Sequence, residues 1–382
     1  MDATTPARPI RVLWLVKGLG PGGAERLLVA AAAHRDRGRF DVTCAYLLPW
    51  KQQLVPELEA LGVGTRCLDV RDERDVRWAA RLRERLRADP VDVLHAHSPY
   101  PAGIARLVTR TLPRSARPAT VYTLHNTWTS FATPTRLLNE WTMGRDAADF
   151  AVSDLVRDTV PERLRRRTEV VVHGVDLAAV GAQRDCDGAR AELGIPPDEI
   201  VFGTVANFRA QKDYPNLLAA ADVLRTRGAR VRIVAVGQGP LEEQMRAEHA
   251  RLGLGDRVLL LGERADAVRV MSGCDGFVLA SNNEGLPVAV MEALALGLPV
   301  VGTAVGGMAE AVDTTNGVLV RPRDPEALAG AMQALAEDPA RRAALADGAA
   351  RSSARFDIRR SVARIEAVYE QVAPARTRAR TA

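Results

Sequence analysis

Two carboxylates, Glu284 and Glu292, interrupt the otherwise apolar stretch Ser281 to Val301, with seven residues between them. Pro287 suits the first turn of a helix, so the pattern predicts a helix that begins near Leu286. Glu284 then lies in the preceding loop, and Glu292 lies about two turns inside the helix. The helix N-terminus favours an anion such as phosphate. The alternative is a half-buried helix whose carboxylates are simply solvated.

Arg209 and Lys212 precede a predicted helix in the stretch Asn207 to Ala221, directly after a strand-like segment. The lysine is informative because the chain contains three lysines against 49 arginines. A compact ammonium beside a guanidinium suits the two phosphates of a nucleotide diphosphate. Each charge-assisted hydrogen bond would contribute roughly 1.5 to 3 kcal/mol. The alternative is a helix start with solvated surface charges.

A glycine-rich loop follows the first predicted strand and contains Gly18, Gly20 and Gly23 in the spacing G-x-G-x-x-G. That spacing alone indicates a dinucleotide site, which also requires an acidic residue at the end of the second strand. The segment 46–49 is Tyr-Leu-Leu-Pro, so a nicotinamide or flavin site is disfavoured. The N–H groups of Gly22 and Gly23 can still approach a phosphate or sugar closely, unless the loop is only a tight turn.

His125 directly follows a predicted strand of the first half, where it would point into a cleft between domains. We expect either a role at the reacting centre or a loop hydrogen bond. His95 and His97 share one face of a strand end, a spacing a metal could use, but no third ligand is evident. Asp185-Cys186-Asp187 has the short D-x-D spacing used for metal ions, yet it lies far from any strand end. We therefore expect no metal ion and no bound cofactor.

Strand-like and helix-like segments alternate along the whole chain, as is typical of parallel sheets covered by helices on both faces. The predicted strands are Arg11 to Val16, Asp41 to Leu47, Val91 to His95, Ala119 to Leu124, Asp149 to Val152, Ile200 to Val205, Val231 to Val236, Val258 to Leu261, Gly276 to Leu279 and Pro299 to Gly302. A polar stretch, Asp176 to Glu199, separates the two series. We predict two doubly wound Rossmann-like domains, whose ligands bind at the carboxyl ends of the strands.

The chain of 382 residues is 47% hydrophobic and 26% charged, which is ordinary for a soluble globular protein. Its four cysteines, Cys44, Cys67, Cys186 and Cys274, show no C-x-x-C pairing, which indicates reduced thiols in the cytoplasm. The N-terminal apolar run is too short for a signal peptide, and no stretch reaches the ~20 apolar residues of a membrane span.

The basic excess lies in the first half of the chain, where residues 1–178 hold 27 Lys and Arg against 21 Asp and Glu. It is concentrated in Arg74 to Arg87 and Arg163 to Arg167, which could contact anionic lipid or an acidic acceptor, or could be solvated helix faces. Nucleic acid is a poor candidate because aromatic residues make up only 4% of the chain.

Together these residues resemble the family 4 glycosyltransferases, which are retaining enzymes of the GT-B fold, and the resemblance covers nearly the whole chain. The matching pieces are Gly22 to Glu25, Thr123 to Asn126, Ala151 to Val160, His173 to Asp176, Asn207 to Asp213, Gly237 with Gly239, and Glu284 to Glu292. Their order and spacing make the match specific, although no single piece is decisive.

The resemblance implies a role for each matching residue. Glu284 would contact the donor sugar, and Glu292 would accept hydrogen bonds from the nucleotide ribose. Arg209 and Lys212 would hold the departing diphosphate in place of a metal ion. His125 would lie near the anomeric carbon. The further donor-binding positions are Gly22, Gly23, Asn207, Gly237, Gly285, Leu286, Pro287 and Val288.

The resemblance also implies two domains that face a cleft. Residues 1–178 would form the acceptor side and residues 179–356 the donor-binding domain, while a helix at 357–373 would pack back on the first domain. Residues 374–382 are expected to be a disordered tail. The expected protein is a cytoplasmic enzyme, with peripheral contact at the inner membrane surface as one option, acting on a sugar, glycan or lipid-linked acceptor. The alternatives are a nucleotide-sugar epimerase of the same fold and a sugar-nucleotide-binding module without turnover.

Overall fold

The structure is a computed structural model that describes residues 8–71 and 75–374. The chain divides into two compact units. The N-terminal unit comprises the chain up to His173 together with the segment from Ile358 onwards, and the C-terminal unit comprises Gly174 to Asp357. The division between the units therefore lies five residues before the predicted boundary at 178/179.

A parallel sheet forms the centre of the N-terminal unit, and its strands run in the order β3-β2-β1-β4-β5-β6-β7 within the described residues. The strands are β1 (Ile10–Val16), β2 (Phe40–Tyr46), β3 (Gly64–Cys67), β4 (Val93–Ala96), β5 (Ala119–Leu124), β6 (Ala148–Ala151) and β7 (Thr168–Val170). The helices are α1 (Gly23–His34), α2 (Val55–Ala60), α3 (Trp78–Ala88), α4 (Pro99–Arg110), α5 (Thr133–Thr142), α6 (Asp154–Asp158) and α7 (Glu162–Arg165).

A second parallel sheet forms the C-terminal unit, in the order β10-β9-β8-β11-β12-β13 among the described residues. Its strands are β8 (Ile200–Val205), β9 (Val231–Val236), β10 (Val258–Gly262), β11 (Gly276–Leu279), β12 (Val300–Thr303) and β13 (Gly317–Val320). Its helices are α8 (Leu177–Ala182), α9 (Cys186–Glu192), α10 (Tyr214–Thr226), α11 (Glu242–Arg251), α12 (Ala267–Ser272), α13 (Val288–Ala295), α14 (Met308–Ala311), α15 (Pro325–Glu337) and α16 (Pro339–Ser353).

The last helix, α17 (Ile358–Val372), belongs to the core of the N-terminal unit. Val368 and Tyr369 join the buried cluster that contains Trp14 and Phe40. Trp14 donates a hydrogen bond from Nε1 to the Tyr369 hydroxyl at 3.1 Å. The buried rings remove a large apolar area from water, and the hydrogen bond satisfies both polar groups. The predicted tail at 374–382 lies outside the described residues from position 375 onwards.

The predicted fold class of two doubly wound parallel sheets is confirmed, and all ten predicted strands are present. The sequence prediction omitted β3, β7 and β13, which are edge strands of three or four residues. The stretch Asp176 to Glu199, expected to be a polar separator, contains α8 and α9. Asp176 and Asp185 cap these helices by accepting hydrogen bonds from the N–H groups of Ala179 and Gly188.

Candidate functional site

The loops that carry Lys212 and Glu284 meet at the point where the strand order of the C-terminal sheet reverses. β8 lies between β9 and β11. The chain continues from β8 to its neighbour β9 on one side, and from β11 to its neighbour β12 on the other. Ligands of such sheets bind outside the carboxyl ends of the strands at this switch point. Lys212 follows β8 and Glu284 follows β11, so topology alone places the two loops side by side.

Lys212 and Glu284 form an ion pair in which the ammonium Nζ lies 2.6 Å from the carboxylate Oε1. The Lys212 side chain is 17% exposed and that of Glu284 is 7% exposed. Ser281 donates a second hydrogen bond to the same Oε1 at 2.5 Å. The pair is thus a partly desolvated, hydrogen-bonded charge pair, and losing either partner would leave the other charge uncompensated.

Hydrogen bonds between the two loops fix the position of this pair. Asn282 donates from its backbone N–H to the Gln211 carbonyl at 2.9 Å and from Nδ2 to the Ala210 carbonyl at 3.1 Å. Lys212 ends a short 3-10 turn, and the next residue, Asp213, has a left-handed backbone with φ of 45°. A left-handed aspartate is uncommon, and such strain is often found at functional loops.

Two glycines allow neighbouring loops to pack directly on the site. Gly306, with φ of +52°, lies so close to the loop after β11 that a Cβ would come within 1.7 Å of the Glu284 carbonyl oxygen. At Gly237, with φ of +155°, a Cβ would lie 2.0 Å from the Ala206 carbonyl oxygen. Any side chain at either position would displace the site backbone. Gly237, predicted as a donor-binding residue, therefore supports the loop after β8.

Helix α13 begins at Val288, with Pro287 as its N-cap, rather than near Leu286 as the sequence predicted. Pro287 retains an extended backbone with ψ of 121°, so the proline ends the loop instead of opening the helix. Glu292 then lies in the second turn and is half-buried. The first N–H groups of α13 and the Glu284 loop face the same switch point.

The other predicted residues of the C-terminal unit lie in the same loops. Asn207 is half-buried directly after β8, and Arg209 is exposed. Gly285, Leu286 and Pro287 are buried between Glu284 and α13. Ser281 was not predicted, although its position three residues before Glu284 in a loop was the available signal.

The predicted residues of the N-terminal unit lie at the equivalent edge of its own sheet. Helix α1 begins at Gly23, with Gly22 as its N-cap. The loop before α1 is joined to the end of β4 by a hydrogen bond from the Lys17 N–H to Ser98 Oγ at 2.9 Å. Loops after β1 and β4 therefore meet at the switch point here too.

His125 follows β5 and belongs to a group of four imidazoles, together with His95, His97 and His173. Its Nε2 lies 3.3 Å from His97 Nδ1, and its ring stacks on that of His173 with centroids 4.8 Å apart. His95 contacts the Tyr369 hydroxyl at 2.6 Å and Thr123 Oγ1 at 2.8 Å. The contact of His125 with His97 and His173 was not predicted, although parallel strands end at one edge.

Burial keeps these imidazoles neutral. Desolvation lowers the pKa of His95 to about 3 and that of His125 to about 4, and it lowers the pKa values of His97 and His173 well below the usual range. A proton on one ring would also disfavour protonation of its neighbours, because like charges repel. The four rings line a cavity of about 40 Å³. A neutral imidazole can accept or donate one hydrogen bond on each nitrogen without adding charge.

The described residues contain no group of three or more His, Cys, Asp or Glu side chains arranged to hold a metal ion. Asp185 of the D-x-D sequence instead caps α9 and contacts Arg269 at 3.1 Å. In the same residues no helix is both long enough and apolar enough to cross a bilayer.

Comparison with known proteins yields two family matches that together span most of the chain. The family described as "Glycosyl transferases group 1" matches residues 187–352, and that described as "Glycosyltransferase Family 4" matches residues 21–179. The first lies within the C-terminal unit, which carries the Lys212–Glu284 pair. The second includes the Gly22-Gly23 loop and His125.

Relatives and solved structures agree with these matches. The chain is 28% identical to the putative glycosyltransferase EpsF of Bacillus subtilis (strain 168), over 81% of this chain and 83% of that protein. It is also 28% identical to the lipopolysaccharide core biosynthesis mannosyltransferase LpsB of Rhizobium meliloti (strain 1021), over 86% of this chain and 93% of that protein. The fold resembles the crystal structure of Anabaena HepE in complex with UDP and glucose, with a TM-score of 0.81 and 23% sequence identity. The match covers 94% of this chain and 98% of the HepE chain.

Proposed function

The chain belongs to the family 4 glycosyltransferases, and from that premise we propose that it transfers a sugar from a nucleotide-diphosphate sugar to an acceptor hydroxyl with retention of anomeric configuration and without a metal ion. The acceptor is a sugar, a glycan or a lipid-linked glycan. Complexes of HepE with UDP and with UDP-glucose support a nucleotide-sugar donor. Four free cysteines fit a reaction in the cytoplasm.

The observation that carries this proposal is the ion pair between Lys212 and Glu284 at the switch point. An ammonium has three N–H donors, so Lys212 can keep its bond to Glu284 and offer two more to phosphate oxygens. Glu284 accepts both of its described bonds on Oε1. Its Oε2 is then assigned to a hydroxyl of the donor sugar, because a carboxylate is an acceptor only.

The reaction breaks the bond between the anomeric carbon and the diphosphate oxygen. Negative charge grows on the departing diphosphate, and groups that are already oriented toward it stabilise the transition state most. Lys212 and Arg209 supply two full positive charges. The N–H groups of Leu286, in the preceding loop, and of Val288, at the start of α13, supply partial ones. These charges perform the role that a divalent cation performs in metal-dependent transferases.

The new bond forms between the acceptor oxygen and the anomeric carbon on the face that the diphosphate leaves. The acceptor hydroxyl passes its proton to the departing phosphate oxygen, so no protein nucleophile is required. His125 contributes a neutral imidazole that accepts or donates a hydrogen bond at the sugar. Because the ring is uncharged, it does not repel the positive charge that develops at the anomeric carbon. Glu292 accepts hydrogen bonds from the ribose hydroxyls.

Thermal unfolding in the presence of a panel of nucleoside diphosphates and their sugars tests the donor class. A ligand that binds only the folded state raises the melting temperature. At a ligand concentration a hundredfold above Kd, it adds about 2.7 kcal/mol to the free energy of unfolding. We expect stabilisation by one nucleoside diphosphate and its sugar, and none by the free nucleoside. Equal stabilisation by the nucleoside would contradict a site built for the diphosphate.

Transfer is then measured with the donor so identified and a panel of acceptors, in buffer and in excess EDTA. We expect product in both buffers, with the anomeric configuration of the donor retained by NMR. Activity that is lost in EDTA and restored by a divalent cation would contradict the role given to Arg209 and Lys212. Conversion of the donor without any acceptor would indicate an epimerase instead.

A further inference from the structure

The fully buried side chains of helix α5 are polar, while Leu138 is half-buried against Gly103. Asn139 and Thr142 are fully buried. Asn139 Oδ1 accepts a hydrogen bond from Arg106 Nη1 at 2.6 Å, and its Nδ2 donates to the Pro99 and Thr135 carbonyls at 2.8 and 2.9 Å. Arg106 also forms a buried ion pair with Asp146 at 2.6 Å. The inward face of α5 is thus held by a buried polar network.

The outward face of α5 is apolar. Leu137 is 62% exposed and Trp141 is 61% exposed. These two residues are four positions apart, so their side chains lie next to each other on the same helix face. Soluble helices show the opposite arrangement, with apolar residues inward and polar residues outward. The exposed pair on α5 therefore indicates that the outward face has an apolar partner.

Arginines surround this apolar pair at the C-terminal end of α5. The Arg145 guanidinium lies over the Trp141 ring, 5.1 Å from its centroid. Arg163 donates to the Glu140 carbonyl, and Arg167 donates to carbonyl groups just after α5, including that of Asp146 at 2.7 Å. The contacts described for Arg145 and Arg163 are with carbonyl oxygens or an aromatic ring, so their positive charge is available to an anionic partner. Arg167 also interacts electrostatically with Asp149.

We propose that Leu137, Trp141, Arg145, Arg163 and Arg167, here called the α5 patch, form a docking surface for a bilayer that contains anionic phospholipid. Tryptophan and leucine beside arginine are the composition of helices that lie in the headgroup region. The shape also favours a bilayer, because a specific protein interface buries roughly 800 Å² on each partner. Two side chains on a ten-residue helix are too few for that, whereas a bilayer needs no complementary shape.

The structure distinguishes this surface from the other basic segment of the N-terminal unit. Helix α3 also contains many arginines, but its apolar residues Trp78, Leu82 and Leu86 are buried. Arg85 of α3 is paired with Asp89 at 2.7 Å. Helix α3 therefore has the ordinary amphipathic arrangement and a solvated basic face, so it provides a matched control for charge without exposed apolar side chains.

Co-sedimentation of the full chain with vesicles tests the proposal without any donor or acceptor, so its outcome is separate from that of the proposed transfer. We expect binding to phosphatidylcholine vesicles that contain phosphatidylglycerol, weaker binding to pure phosphatidylcholine, and release by salt. Leu137→Gln combined with Trp141→Gln should lower the partition coefficient about tenfold or more, because the apolar contacts are lost. Arg145→Gln should lower it about fivefold on anionic vesicles.

Two control variants each change one exposed residue outside the α5 patch. Arg87→Gln removes one exposed arginine from α3, and Trp50→Gln removes an exposed tryptophan that lies outside α5. Both should bind anionic vesicles as the natural chain does. Unchanged binding by the Leu137/Trp141 double variant would overturn the proposal. So would equal loss in either control variant, or a dimer in solution that the double variant dissociates, since that would make a second copy the occupant.

Discussion

The two units have sheets of corresponding strand order, yet they place opposite kinds of chemistry beyond the carboxyl ends of their strands. In the C-terminal unit, loops after β8 and β11 bring together the charged Lys212 and Glu284. In the N-terminal unit, the segments after β4, β5 and β7 bring together His97, His125 and His173, whose rings are neutral.

The proposed transfer would account for this difference. A diphosphate carries full negative charge, and only full positive charges and helix termini can stabilise more of it as it departs. A reacting hydroxyl is neutral, so a neutral imidazole can orient it through a hydrogen bond. A charged imidazolium would instead compete with Lys212 for the diphosphate. One topology thus supports a charged group of side chains in one unit and an uncharged group in the other.

Removal of the lysine charge is expected to have the largest effect. Lys212→Ala should lower kcat by about a hundredfold to a thousandfold, because a preorganised charge on the leaving diphosphate is lost. Initial rates and circular dichroism separate this from unfolding. Arg225→Ala, on the exposed surface of α10, is the control and should retain the natural rate. A Lys212→Ala enzyme with near-natural kcat would remove the basis for calling the C-terminal site the charged half.

Loss of the imidazole tests the uncharged half. His125→Ala should lower kcat about a hundredfold with little change in the Kd of the nucleoside diphosphate, because the diphosphate is held in the other unit. Kinetics and calorimetry with the same variant give both quantities. His34→Ala at the end of α1 is the matched histidine control. A His125→Ala variant that loses diphosphate affinity instead of kcat would contradict the division of labour.

Acid should weaken the N-terminal unit selectively. Its folded-state histidine pKa values are lowered, so unfolded chains take up protons below about pH 6.5 while folded ones do not. The free energy of unfolding is therefore highest above that pH. It falls as the pH drops from about 6.5 toward the folded-state pKa values of the histidines. His95 and His125 should each contribute a loss of about 1 kcal/mol between pH 7.5 and 5.5.

Tryptophan fluorescence measures this loss, because Trp14, Trp50, Trp78, Trp128 and Trp141 all belong to the N-terminal unit. Urea midpoints read from fluorescence should fall with pH. His125→Phe and His95→Phe should each flatten the dependence. A midpoint independent of pH would show that the imidazoles are not held neutral by burial.

The glycine that supports the charged site should have the smallest effect of these changes. Gly306→Ala should weaken diphosphate binding about tenfold, because its Cβ would collide with the Glu284 carbonyl and force the loop to move. Calorimetry with UDP measures the change in Kd. Gly330→Ala, where the nearest atom to a Cβ is 3.9 Å away, is the control and should bind normally. Equal affinities would show that the loop position does not depend on Gly306.

The sequence was sufficient for the sheet architecture because the central strands are continuous apolar runs, as buried parallel strands must be. It was insufficient for β3, β7 and β13 because short edge strands bury less and carry weaker patterns. The same limit applies to Pro287, since a proline fits both the last loop position and the first helical one, and only packing decides between them.

The sequence also predicted that the loops of the candidate site lie together, because loops after parallel strands share one edge of the sheet. It did not predict that Lys212 bonds Glu284, or that His125 contacts His97 and His173. Those contacts depend on loop conformation. For the Lys212–Glu284 pair, the left-handed Asp213 and the close approach at Gly306 shape the loops, and neither is encoded by periodicity.

The most direct test of the account is a crystal structure of the chain soaked with a nucleoside diphosphate such as UDP. We predict that its phosphates lie at hydrogen-bonding distance, about 2.7 to 2.9 Å, from Lys212 Nζ and beside the first N–H groups of α13. Phosphates bound anywhere away from the carboxyl ends of β8 and β11, for example at the Gly22 loop, would contradict it.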